Sequence, residues 1–166
     1  KENDHRNPIT SYGKMRYEIE NHIIGSSVSY SILRMGSVFG IEQSDGTLIT
    51  GLFNEIKHKK KVLCATDQVI TPVFIGDLIS FISKVIENNY KGVFHIASLK
   101  PITRYEIAEE IINYLNLDKK FIKPCKINSL NLIDKRPINI SLNIAKLRAL
   151  NNFYENDLKY YLKMIN

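Results

Sequence analysis

The residues from 11 to 40, SYGKMRYEIENHIIGSSVSYSILRMGSVFG, change their hydrophobic period once, and that change decides the fold. Pro8 can stand in the first turn of a helix, and Tyr12, Met15, Ile19 and Ile23 follow three or four residues apart, so a helix is expected to end near Gly25. Residues 27–35 then alternate and are rich in β-favouring side chains, which predicts a strand broken by Gly36 and Gly40. A helix feeding a strand with a glycine loop at its carboxyl end is the unit from which parallel sheets are wound.

The same unit recurs down the chain. Leu48, Ile49, Leu52, Phe53 and Ile56 predict an amphipathic helix to about residue 60, after the loop GIEQSDG (40–46). KVLCA (61–65) reads as a short strand and DQVITPV (67–73) as an irregular turn around Pro72. Leu78, Phe81, Ile82, Val85 and Ile86 share one face of a helix from Gly76, closed by Asn88, Asn89 and Gly92. GVFHIAS (92–98) is a buried strand, and Thr103 with Glu106 has capping-box spacing before a helix carrying Ile107, Ala108, Ile111, Ile112 and Leu115. A strand at FIKPCKI (121–127) and helices near 143–150 and 155–164 complete the order. This alternation argues an α/β fold with parallel pairing.

Composition narrows the function. With 166 residues, 44% hydrophobic and 24% charged, the chain can bury an ordinary core. Its net charge of +6 is scattered except for Lys57, Lys59, Lys60 and Lys61, a run expected at a helix end where cations complement the dipole. No basic face interleaved with aromatics emerges, so nucleic acid is not an expected partner. Cys64 and Cys125 are distant and lack a nearby histidine in ligand spacing, which predicts reduced thiols, no metal and a cytoplasmic protein. No run is apolar enough to span a membrane. The start at Lys1, in polar loop-like sequence, reads as if a segment upstream were absent.

Tyr12 carries the candidate chemistry. A free phenol titrates near ~10 and is a poor acid-base catalyst unless a fixed cation stabilises its phenolate. Arg16, four residues on, shares its helix face, whereas Lys14 points elsewhere. Spacing alone favours simple packing beside a solvated arginine, because such pairs arise often.

The surrounding residues shift that balance. Pro8, Tyr12, Gly13, Arg16 and Glu20 resemble the P-x-x-x-Y-G-x-x-K-x-x-x-E signature of extended short-chain dehydrogenases and reductases. SILRMGSVFG is similar to that family's LR-x-x-x-V-Y-G, DQVITPVFIGDL to its DQ-x-x-x-PT-x-x-x-DL, and KRPINISLNIAKL to its RP-x-N-x-x-L-x-x-x-KL. GVFHIAS and ITRYEIAEEI resemble the strand and helix between them. The likeness covers nearly the whole chain and points to the dTDP-4-dehydrorhamnose reductase branch and its relative, the methionine adenosyltransferase beta subunit.

The resemblance implies the C-terminal part of such a fold: residues 1–40 and 74–100 ending a Rossmann sheet, 41–73 and 101–166 forming a small α/β substrate-binding domain, and the N-terminal Rossmann half absent. It implies an NAD(P)H-dependent nucleotide-sugar reductase in which Tyr12 protonates the carbonyl oxygen during hydride transfer. Tyr12, Arg16, Met35 and Gly36 would hold NAD or NADP; Ser37, Gln68 and Arg136 would meet the nucleotide-sugar substrate. Arg136 suits either a pyrophosphate or a structural ion pair, and Asp67 with Gln68 suits either substrate contact or turn formation. The alternatives are a non-catalytic dinucleotide- or partner-binding regulatory subunit and an epimerase or dehydratase, with homodimer formation open.

Three departures stand out. Arg16 occupies the lysine position, and a planar guanidinium is no conservative replacement for an ammonium at a ribose. Ser37 stands where rhamnose-forming reductases carry tryptophan, a residue this chain lacks. Val73 replaces the threonine after Pro72. The glycine-rich phosphate fingerprint is also missing, since GSVFG has the wrong spacing for it. His95 is expected to be a satisfied core histidine, and His5, His22 and His58 exposed or capping; Asp77 and Glu106 read as helix-start residues.

Overall fold

The computed structural model describes residues 1–42, 45–130, 132, 134–150 and 156–165. Helix α1 spans Ser11–Ile24 and starts later than Pro8, because the Thr10 side chain caps it by accepting the Gly13 N–H at 3.0 Å. It closes at Gly25, whose N–H reaches the Asn21 carbonyl at 2.9 Å. Strand β1 is Ser31–Met35, shorter than the expected 27–35, because its partner supplies residues only from Gly92 onward.

There follow β2 (Val38–Phe39), α2 (Leu48–Lys57), β3 (Val62–Ala65), β4 (Val69–Ile70), β5 (Val73–Phe74), α3 (Ile75–Glu87) and β6 (Gly92–Ile96). Then come β7 (Ile102–Thr103), α4 (Arg104–Tyr114), β8 (Ile122–Cys125), α5 (Ala145–Leu150) and α6 (Leu158–Ile165). β1 pairs with β6, β2 with β5 and β3 with β8, all parallel, while β4 pairs antiparallel with β7. Residues 43 and 44 of the expected loop, and 155 of the expected last helix, lie outside the described residues.

Two apolar clusters hold the layers. Phe53 and Ile56 of α2, Ile107 and Ile111 of α4, and Leu162 of α6 pack with Val62, Cys64 and Ile122 of the β3–β8 pair. Phe81 of α3, Leu147 of α5, and Phe94 and Ile96 of β6 form the second. Helix α1 buries no residue at all: Met15 and Ile19 of its apolar stripe are exposed.

Segment 67–73 is more ordered than an irregular turn. Asp67 accepts the Ile127 N–H at 2.8 Å, and Val69 exchanges bonds with the Ile138 carbonyl and the Ile140 N–H. The Thr71 hydroxyl takes the Leu142 N–H at 3.0 Å, the Pro72 carbonyl takes the Ser98 N–H, and the Val73 N–H reaches the Ser37 carbonyl. Its strands, β4 and the start of β5, are only two residues each and are fixed by distant partners, so no local period announces them.

Candidate active site

Thr10 fixes where α1 begins, and this places Tyr12 in the first turn, 62% exposed. Arg16, one turn on, donates from Nε to the Tyr12 hydroxyl at 3.0 Å, its guanidinium carbon 5.1 Å from the ring centroid. The expected pair is therefore formed: an accessible phenol with a cation bonded to its oxygen. Glu20, also in the motif, has a different task. Both of its oxygens take Arg34 of β1, and Arg6 Nη1 lies 3.1 Å away, so the carboxylate anchors α1 to the sheet. The Ser11 N–H reaches Asp134 at 3.3 Å, which brings the 134–137 loop to the turn carrying Tyr12.

At the carboxyl end of β1, Met35 is exposed and Ser37 half-buried. Gly36 continues the ladder by donating to the Ile96 carbonyl at 2.8 Å. A Cβ at Gly36 would sit 1.8 Å from the Thr71 carbonyl oxygen and 3.2 Å from the Ala97 methyl. The absence of a side chain is thus used by a backbone crossing. Among the described residues no hydrogen bond joins Tyr12 or Arg16 to Met35, Gly36 or Ser37.

Gln68 is 2% exposed, and its Nε2 donates to the Pro137 carbonyl at 3.2 Å, next to the exposed Arg136. Its Oε1 is buried without a partner. So is Nε of Arg104, a residue outside the motif positions. A buried unpaired polar atom costs about 1–3 kcal/mol. A signal for Arg104 existed: a cation in the first turn opposes the helix dipole, and it precedes the buried Ile107, Ala108 and Ile111 on the same face. Burial and the neighbouring Arg136 charge lower the Arg104 pKa.

A cavity of about 430 Å³ is lined by Phe39, Phe74, Asp77, Ala97, Ser98 and Tyr161 among others, and by none of the seven candidate site residues. The Tyr161 ring stacks on Phe74 at 4.7 Å, and its hydroxyl donates to Asp77, so Asp77 does more than start a helix. Burial, with Asp77 alongside, pushes the Tyr161 phenol pKa upward. No group of three or more His, Cys, Asp or Glu is placed to hold a metal among the described residues.

The helices around parallel strand pairs, in this order, make an α/β fold of the extended short-chain dehydrogenase kind. The model of one family, RmlD substrate binding domain, matches residues 1–165, and the chain belongs to that family. It is 26% identical over 157 residues to the methionine adenosyltransferase 2 subunit beta of Danio rerio, covering 90% of this chain and 48% of that protein. The dTDP-4-dehydrorhamnose reductase structure from Clostridium acetobutylicum superposes with a TM-score of 0.83 at 26% identity, covering 98% of this chain and 56% of that one. The dTDP-4-dehydrorhamnose reductase from Bacillus anthracis, solved in complex with NADP, gives 0.83 at 22%, covering 99% and 57%. The chain spans about half the length of the curated relatives it matches. No helix among the described residues is long and apolar enough to cross a membrane.

Proposed function

We propose that this chain is the substrate-binding part of an NAD(P)H-dependent nucleotide-sugar reductase of the dTDP-4-dehydrorhamnose type. The observation that carries this reading is the 3.0 Å bond from Arg16 Nε to the exposed Tyr12 hydroxyl at a capped helix start. Arg16 spends Nε on Tyr12, which leaves its terminal nitrogens for ribose hydroxyls; Tyr12, Arg16, Met35 and the Gly36 backbone would hold the dinucleotide. When bound, the reduced nicotinamide supplies the hydride for the carbonyl carbon. Tyr12 gives its phenolic proton to the carbonyl oxygen as negative charge develops there, and the product is the alcohol. Arg16 remains bonded to the tyrosine oxygen and stabilises the phenolate left behind. Ser37, Gln68 and Arg136 would meet the nucleotide sugar. A Rossmann half would cover the bare face of α1 and the free edge of β1.

The test is turnover of dTDP- and UDP-4-keto sugars by the intact natural protein, followed as loss of NAD(P)H. Tyr12→Phe is expected to lower kcat by about 10²–10⁴-fold, with KM nearly kept. Arg16→Lys is expected to retain or raise the rate. Unchanged turnover in Tyr12→Phe removes that residue from the mechanism. Absence of turnover by the parent favours the second reading, a regulatory binding subunit, for which arginine at the lysine position and the 26% identity to a methionine adenosyltransferase subunit speak.

A further inference from the structure

Two lysine runs far apart in the sequence meet at one end of the β3–β8 pair. Lys59, Lys60 and Lys61 lead directly into β3 at Val62, and Lys119 and Lys120, in a short turn of helix, lead into β8 at Ile122. The strands are parallel with Val62 set against Ile122, so both runs arrive at the same end of a pair whose strands lie about 5 Å apart. All five lysines are exposed. One step into the strand, Leu63 stands between the buried Val62 and Cys64 and faces outward, 56% exposed, with the exposed Lys123 as its register partner. An apolar side chain thus sits among the lysines.

The fold holds this charge in place and does not neutralise it. The Lys59 N–H reaches the Ile56 carbonyl at 2.8 Å and the Lys60 N–H the Glu55 carbonyl at 3.0 Å, which closes α2. Lys59 has a φ of 58°, in the left-handed region. At the ends of α3 and α4 the residues with φ of 52° and 51° are Asn89 and Asn116, which tolerate that conformation better. A cation therefore stands where the helix end by itself would take glycine or asparagine. Among the described residues Lys59, Lys60 and Lys61 form no ion pair. Lys119 meets Glu109 and Lys120 meets Asp118, but these lysines are 63% and 65% exposed, and such pairs hold little.

The kind of cation points to the partner. No arginine stands in either run. Recognition of one phosphate or carboxylate favours the planar guanidinium fork, whereas lysine is a mobile point charge suited to many loosely placed anions. None of these lysines lines the 430 Å³ cavity, and the exposed apolar residue among them is aliphatic, not a ring on which a base would stack. We infer that this end of the β3–β8 pair is a docking surface for an anionic phospholipid bilayer, with the lysines among the headgroups and Leu63 entering the interface. No candidate site residue lies in this surface, so it stands apart from the reductase reading.

The experiment is co-sedimentation of the intact natural protein with vesicles of phosphatidylglycerol and phosphatidylcholine, against vesicles of phosphatidylcholine alone. The protein is expected to pellet with the mixed vesicles only. It should be released as salt rises from about 0.1 M to about 1 M, where the Debye length falls from about 10 Å to about 3 Å. Lys60→Gln, Lys61→Gln and Lys120→Gln are each expected to weaken partition about fivefold. Lys91→Gln, exposed ahead of β6, is expected to leave it unchanged. Leu63→Ser should weaken partition while keeping the parent's salt dependence. All these side chains are exposed, so each variant is expected to keep the parent melting temperature, measured alongside. Equal pelleting with both kinds of vesicle, pelleting with neither, or an equal loss in Lys91→Gln overturns the inference. So does lysine-dependent binding of polyglutamate or duplex DNA that is tighter than binding of the mixed vesicles, which would give the surface to an acidic chain instead.

Discussion

Gly36 shows how a residue can lie in a motif for a reason the motif does not state. Its resemblance-based place is beside the nicotinamide, yet the closest consequence of its missing side chain is the Thr71 carbonyl, 1.8 Å from where a Cβ would be. Gly36→Ala must push two backbone segments apart, and about 3 kcal/mol of destabilisation is expected, read as a lower urea midpoint of the intact protein. A midpoint within error of the parent would mean that the loop yields freely. Tyr12 and Arg16 were legible because helical spacing is local. Gln68 was named from the resemblance, but its bare oxygen depends on Pro137, far along the chain, and no sequence pattern carries that. Arg104 was legible in principle, as a charge of the wrong sign for its helix end.

At the scale of elements, a polar knot ties α1 to the β1–β6 pair. Arg34 of β1 grips Glu20 of α1, meets the Glu2 carbonyl at 3.0 Å and lies 3.2 Å from His95 Nε2 of β6. His95 Nδ1 is 3.1 Å from the Asn143 carbonyl, and its backbone N–H takes the Glu2 carboxylate at 3.1 Å. This is the satisfied core histidine the sequence led us to expect, 3% exposed. Burial lowers its pKa and Arg34 assists, against the opposing pull of Glu2 and Asn143. The unfolded chain therefore takes up the extra proton first as pH falls through about 6.5, and stability declines from there until the folded imidazole protonates. Above that pH the contribution is flat. Denaturant midpoints between pH 7.5 and about 5 should fall more steeply for the parent than for His95→Gln; parallel curves would remove His95 as the cause. The main helices and the four- and five-residue strands were readable because their periods are their own. The two-residue strands were not, because pairing across the chain creates them.

At the scale of the whole molecule, the two apolar clusters leave one side bare. Tyr12, Met15 and Ile19 of α1 and Met35 at the end of β1 are all exposed, and β1 pairs with one strand only among the described residues. If a Rossmann half covers this face, as proposed above, these 166 residues expressed alone are expected to bind the dye ANS and to unfold without a sharp transition, and a longer protein carrying that half to melt sharply without binding the dye. A cooperative melt of the isolated piece with no dye binding would show that the bare face is tolerated.

Segment 67–73 has a consequence for spacing inside the fold. Gln68 sits at one end of it and Thr71, locked against Gly36, three residues on, with bonds to the 137–142 stretch between them. Three residues of extended chain cover roughly 10 Å. Because both ends are pinned, that span works as a ruler. It fixes how far the 137–142 stretch stands from the end of β1, so a change at Gln68 or Thr71 shifts two distant parts of the chain at once.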